Sequence, residues 1–201
     1  MGFVSFFYTV YNYWHLRLHG ATIGKKFVAG GPLDILLRDG ASLKNLTIGD
    51  DVTLQGRTYV RMRSNGKIVV RNGVTIGTEV WLVTANDAEF VIGEKTIIGP
   101  YSIFNAGHGI EIGRMCIFGA FIYMNSSEHH FKKGEFVQNQ GFYGSKVTLG
   151  DDVWLGGHVM ITKGVRIGDG VVIGGGSVVT KDVPENKIAF GNPARAMKDR
   201  V

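Results

Sequence analysis

Residues 149–183, LGDDVWLGGHVMITKGVRIGDGVVIGGGSVVTKDV, place an aliphatic side chain at every sixth position: Leu149, Leu155, Ile161, Ile167, Ile173 and Val179. A second file stands four places later in each unit, at Val153, Val159, Val165, Val171, Ser177 and Val183. A helix needs apolar steps of three and four, and a half-buried strand needs steps of two. A step of six fits neither and marks a repeat that returns to one environment every hexad. The signature recurs upstream in Ile48, Leu54 and Val60, in Val70, Ile76 and Leu82, in Ile92, Ile98 and Phe104, and in Ile112, Phe118 and Met124. Glycine directly follows the leading residue eleven times, for example at Gly93, Gly99, Gly113 and Gly156.

The pattern predicts a three-sided prism. Each hexad supplies a short strand and a corner, three hexads close one coil, and both apolar files point inward onto their equivalents in neighbouring coils. Glycine tolerates the dihedrals and close approaches of a corner. Periodicity predicts a parallel β-helix without fixing its hand. The phase breaks twice. Ile92 to Ile112 spans two residues more than three hexads, which enlarges a corner near Asn105 and His108, in NAGHGIE. Ile112 to Leu149 spans a much longer excess, residues 125–146, which is polar and lacks the repeat. A long loop ejected from a rigid solenoid is commonly functional.

Three segments are therefore expected: an N-terminal aromatic helix or cap over 1–22, the β-helix over 23–190, and a C-terminal extension over 191–201 that leaves the prism as a short cap or helix. Phe3, Phe6, Phe7, Val10, Tyr11 and Trp14 follow helical spacing. This stripe is read first as a face packing on the open end of the prism. The other reading is peripheral membrane contact through residues 1–18, helped by Arg17.

Composition narrows the class. The 201-residue chain carries 30 glycines, about twice the usual share, without a Gly-x-y run, so collagen is excluded. A hydrophobic content of 44% argues against disorder. The net charge of +5 suits anionic small molecules or an anionic membrane surface, and no nucleic-acid motif is present. The single cysteine, Cys116, falls at a second inward position and reads as a buried small side chain. The N-terminus is a poor signal peptide and too polar to span a bilayer, so the expected compartment is the cytoplasm.

The hexad run, the loop histidines, DDVWLGG, GGGSVVTKDVP and GNPAR together resemble the hexapeptide-repeat acyltransferases, of the galactoside/maltose O-acetyltransferase type and its polysaccharide-modifying relatives. The resemblance covers roughly residues 45–198. It implies a left-handed parallel β-helix, although right-handed crossovers are the rule. It also implies a homotrimer with active sites between subunits, acetyl-coenzyme A as donor, and direct transfer to a sugar hydroxyl.

The resemblance implies roles for particular residues. His129, which follows Glu128 in the ejected loop, is the general base that takes the acceptor proton, and His130 is the competing candidate. Asn105 contacts substrate or orients the imidazole; the plain alternative is a corner asparagine. Trp154 borders the groove between subunits and packs against acceptor or cofactor, and Tyr123, which the resemblance does not assign, is an expected substrate contact. Trp154 also reads as packing, because Trp81 occupies the same place after Val80. Gly156, Gly157 and Gly175 leave bare backbone for the pantetheine arm, Ser177, Thr180 and Lys181 line its channel, and Lys181 and Arg195 meet the phosphates.

Three other readings have their own residues. N-acetylation of an amino-sugar nucleotide requires only a different acceptor pocket. A trimeric zinc hydratase would draw on His108, His129, His130 and His158, which lack the regular spacing such a site needs, and no metal is expected. A non-catalytic scaffold would leave the loop histidines unused.

Overall fold

The computed structural model describes residues 2–201. Among them the chain winds through seven coils, and the three sides of every coil stack into three sheets of parallel strands. On the first face Ile48, Val70, Ile92, Ile112, Leu149 and Ile167 stand in register. The second face carries Leu54, Ile76, Ile98, Phe118, Leu155 and Ile173. The third carries Val60, Leu82, Phe104, Met124, Ile161 and Val179. All of these are buried, as are the second-file residues Val153, Val159, Val165 and Val171. The core is one continuous column, and emptying any rung of it by a Leu→Ala change costs about 2–5 kcal/mol.

The recurrent glycine has a specific cause. A Cβ on Gly93 would stand 2.4 Å from the backbone of Gly113, and one on Gly113 would stand 2.3 Å from the carbonyl of Gly150. Coil backbones therefore touch at these corners, where only hydrogen fits. The left-handed turn falls two residues later, at positions occupied mostly by other residue types: Lys26, Asp51, Lys95, Tyr101, Met115, Phe121 and His158 all have φ near +55° to +61°. Glycine thus serves the close approach at these eleven positions, and the reversal of the chain falls elsewhere.

Hydroxyls clasp the corners. Ser102 donates to the Gly99 carbonyl at 2.9 Å and accepts the Ile122 amide at 3.1 Å. Thr96 does the same with Gly113 and Cys116. Among the described residues no buried side-chain nitrogen or oxygen lacks a partner. Cys116 is fully buried, and burial pushes its thiol up to about 11, which removes it as a nucleophile near neutrality.

The third face departs from strict hexads. Its strands run over Leu33–Arg38, Thr58–Arg63 and Val80–Thr84 before the expected enlargement at Ile103–Ala106, and shrink to Met160–Ile161 and Val178–Val179 after the loop. This side is widest where the loop leaves it.

Both ends differ from expectation. Helix α1, Phe3–Leu18, does cap the first coil, but through Leu16, the partly buried Tyr8 and Tyr13, and polar side chains, not through the predicted stripe. Asn12 donates to the Gly31 carbonyl at 3.2 Å, the Ala29 amide donates to Thr9 Oγ1 at 2.9 Å, and Leu16 is fully buried. The open end of a β-helix presents unpaired peptide groups, so polar side chains dock there. The aromatic stripe points away, leaving Phe3, Phe6, Phe7, Tyr11 and Trp14 more than half exposed. At the far end the chain forms neither helix nor loose cap. Lys187–Gly191 extends the second face beside Val172–Ile173, and Ala194–Asp199 folds back antiparallel to it.

Adjacent glycines give a sharp test of coil contact. A Cβ on Gly156 would lie 2.5 Å from the Gly175 amide nitrogen, whereas on Gly157 the nearest atom is 3.4 Å away. Chemical denaturation should show Gly156→Ala destabilised by about 2 kcal/mol or more, and Gly157→Ala within about 0.5 kcal/mol of the parent protein.

Candidate active site

The ejected segment is more ordered than its composition suggests. Ser127–His129 pairs antiparallel with Phe142–Gly144, setting His129 opposite Phe142 and Glu128 opposite Tyr143. The hairpin is pinned at its root. Ser126 is fully buried, donates to the Asn105 carbonyl at 3.1 Å and accepts the His108 amide at 2.9 Å. His108 Nδ1 and Ser127 Oγ are 2.9 Å apart. Glu128 is clasped by Lys163 of the next coil at 2.7 Å and by the Tyr143 hydroxyl at 3.0 Å. Those bonds, that of Lys163 foremost, hold the Glu128 carboxyl below the usual carboxylate range, and the same clasp raises Lys163.

Beneath the hairpin lies a groove of about 360 Å³ whose walls include Asn105, Asn125, Ser127, His129 and Phe142. Asn105 and Asn125 stand side by side on the third face, each following a buried apolar residue. His129 also faces a second hollow, of about 240 Å³, with Tyr123, Met160 and Lys163. Its ring stands edge-on to Phe142, and it makes no hydrogen bond among the described residues, so both nitrogens are free for a ligand. An exposed imidazole between two hollows, with two amide side chains below it, can accept a proton from a bound hydroxyl.

The structure separates the remaining candidates. His130 is stacked on Tyr143 at 4.6 Å and borders a different hollow with Phe131 and Lys132. Tyr123 reaches the His129 hollow. Trp154 is 53% exposed on the second face, whereas Trp81 lies on the third, stacked on Tyr59 at 4.1 Å. Their shared hexad place therefore does not make them equivalent. Ser177 is fully buried, donates to the Gly174 carbonyl and accepts the Gly191 amide. Its side chain is a corner clasp like that of Ser102 and does not reach the surface. Gly156 is held by coil contact, a Cβ on Gly175 would lie 3.1 Å from the Gly157 carbonyl, and one on Gly157 would make only ordinary contact at 3.4 Å. Thr180, Lys181 and Arg195 are exposed. His158 stacks on Phe121 at the opposite corner of the third face, and among the described residues no group of three His, Cys, Asp or Glu could hold a metal.

Several participants escaped the sequence reading. Asn125 had a signal, since it follows Met124 as Asn105 follows Phe104. Lys163 and Ser126 had none, because their partners are set by coil stacking and hairpin register.

Comparison with known proteins fits this geometry. Residues 146–181 match the bacterial transferase hexapeptide family (six repeats). Galactoside O-acetyltransferase of Escherichia coli (strain K12) is 30% identical over 186 residues, covering 91% of this chain and 78% of its own length. Polysialic acid O-acetyltransferase of Escherichia coli O1:K1 / APEC is 35% identical over 144 residues, 71% of this chain but only 44% of that protein. Among solved structures, a maltose O-acetyltransferase from Clostridium difficile 630 is 26% identical, with 98% of this chain and 88% of that one covered at a TM-score of 0.53. The AntD N-acyltransferase from Bacillus cereus, solved with dTDP and 3-hydroxybutyryl-CoA, shares the fold at a TM-score of 0.65, with 19% identity over 94% and 88% of the two chains. Stacked hexads over seven coils, joined to a full-length likeness of this kind, make the chain a member of the hexapeptide-repeat acetyltransferases, enzymes built on a left-handed parallel β-helix.

Proposed function

We propose that the protein transfers the acetyl group of acetyl-coenzyme A directly to a hydroxyl of a saccharide, with His129 as general base. The observation that carries this reading is the shared groove of His129 and Asn105, in which the imidazole has no competing hydrogen bond. The acceptor O–H gives its proton to a free ring nitrogen as its oxygen attacks the thioester carbon. The tetrahedral oxyanion collapses, the C–S bond breaks, and the imidazolium returns the proton to the departing sulfur. Asn105 and Asn125 offer amides to orient the acceptor. Glu128 holds the hairpin to Lys163 and so acts as a positioning residue.

The donor fits the C-terminal coils. A Cβ on Gly176 would have nothing within 4 Å and one on Gly157 only ordinary contact with the Ala120 carbonyl at 3.4 Å, so the backbone there carries no bulky side chain. Lys181 and Arg195 supply exposed cations for the phosphates, and exposed Thr180 precedes Lys181. The active unit is a homotrimer in which the seam between subunits closes the open side of the His129 groove. The hydroxyl acceptor follows from the likeness to the galactoside enzyme, and an ester product distinguishes it from amide formation by mass spectrometry.

Among the described residues no helix is long and apolar enough to cross a membrane. We assign the outward stripe of α1 to an anionic bilayer surface. No acidic residue precedes Asp34, while Arg17 and Lys25 supply positive charge, Lys26 being paired with Asp51 at 3.3 Å. Phenylalanines lie towards the start of the helix, Tyr11 and Trp14 in its middle and Arg17 near its end, the gradient of an obliquely inserted interfacial helix.

Three outcomes are expected. His129→Ala should lower kcat/KM by about a hundredfold or more in a coenzyme A release assay, while His130→Ala stays within about threefold. Limited proteolysis within 131–141 should accelerate in Lys163→Ala. In the parent protein it should accelerate as pH falls through the lowered Glu128 value, because the stability from a depressed carboxylate is lost on protonation. Vesicles containing phosphatidylserine should co-sediment the protein, and Phe7→Ser/Trp14→Ser should abolish this; equal binding to uncharged vesicles, or none, contradicts the assignment.

A further inference from the structure

The His129 groove does not end at Asn105. It continues along the third face towards the first coils, where a hollow of about 220 Å³ shares Arg63 and Val83 as a common wall with it. Strand register arranges this stretch. One outward file reads Leu36, Arg61, Val83, Asn105 and Asn125, and beside it Arg38 stands opposite Arg63. Ala85 and Gly107 carry the floor onward towards the hairpin, with no long side chain to block it.

The charges along this path are unequal. Arg38, Arg61 and Arg63 line it, and its one carboxylate, Glu128, is already neutralised by Lys163. Arg61 is committed to structure. Its guanidinium bonds the Asp34 carbonyl at 2.8 Å and the Asp34 carboxylate at 3.0 Å, and lies over the rings of Tyr59 and Trp81. Arg63 differs, since its contact with Asp39 at 3.1 Å joins two side chains that are both more than half exposed. Such a pair contributes about 0–1 kcal/mol and can be exchanged for a ligand anion. The Arg38 guanidinium has no ion-pair or hydrogen-bond partner among the described residues. Both project from long paired strands on a rigid prism, so their α-carbons are fixed one ladder spacing apart while the exposed guanidinium groups are free to turn to an anion.

Spacing sets the scale. Coils rise by about 4.8 Å, so the Arg63 coil lies about 10 Å from that of Asn105 and the Arg38 coil about 14 Å. An acceptor with a hydroxyl at His129 would present its next sugar unit, or a linked phosphate, to these arginines.

We propose that the acceptor is an anionic saccharide, held through a carboxylate or phosphate by Arg63 and Arg38 at the far end of the His129 groove. This rests on the assignment of the groove as the acceptor site, and the test is therefore a binding measurement that needs no acetyl transfer. Isothermal titration with trigalacturonic acid, UDP-glucose and neutral galactotriose should show one or both anionic probes bound at least about tenfold tighter than the neutral one. Arg38→Gln/Arg63→Gln should erase that preference, while the remote Lys198→Gln should keep it. The arm that wins separates a carboxylate from a phosphate as the recognised group. Equal binding of all three probes, no binding by either anion, or an anion preference that survives in the double variant overturns the proposal. If instead the preference is lost as expected while His129→Ala retains full transfer, the anion site stands and the assignment of the base fails.

Discussion

Contact between the backbones of successive coils is the constraint on which everything else rests. At the corner glycines the chain of one coil approaches the next so closely that no side chain can intervene, and the strand ladders on all three faces are thereby kept in register. Inward residues are forced into vertical files of matched apolar groups. Outward residues are forced into files as well, and these decide which side chains become neighbours. Asn105 meets Asn125, and Arg38 meets Arg63, because a whole coil separates them in sequence and a single ladder spacing separates them in space.

The site forms where that regularity is broken. The third face widens through its longer strands, and the chain then leaves it as a hairpin anchored by Ser126 below and by the Glu128–Lys163 clasp at the side. A bare prism face is too flat to bind a small molecule. The hairpin stands over the widened face and turns it into a groove, with an imidazole at its mouth. Rigidity comes from the solenoid and concavity from the loop, the usual division of labour between scaffold and functional segment.

The inward files were legible in the sequence because a period of six over aliphatic residues has few other physical explanations. The positions of Asn105 beside the enlarged corner and of His129 in the ejected loop were legible too, but not that both line one groove. The orientation of α1 was not. Counting apolar residues at helical spacing assigns the aromatic stripe to the core, but the end of a β-helix offers peptide groups, and Thr9 and Asn12 answer them instead. The corner bonding of Ser177 had no signal either: the resemblance set it beside the channel, and its buried hydroxyl completes the hydrogen bonding of a corner. Trp154 and Trp81 share a hexad place, but which of three faces a hexad occupies depends on the count of coils before it, including the longer third sides.

A crystal structure with coenzyme A bound tests the central claim most directly, namely that coil stacking and the hairpin together bring donor and base to one groove. The account predicts the pantetheine arm along the open backbone of Gly157 and Gly176, with its sulfur turned towards His129 and Asn105 of the same site. A sulfur directed to the corner of Arg114 and Asp151, away from the hairpin, would contradict it.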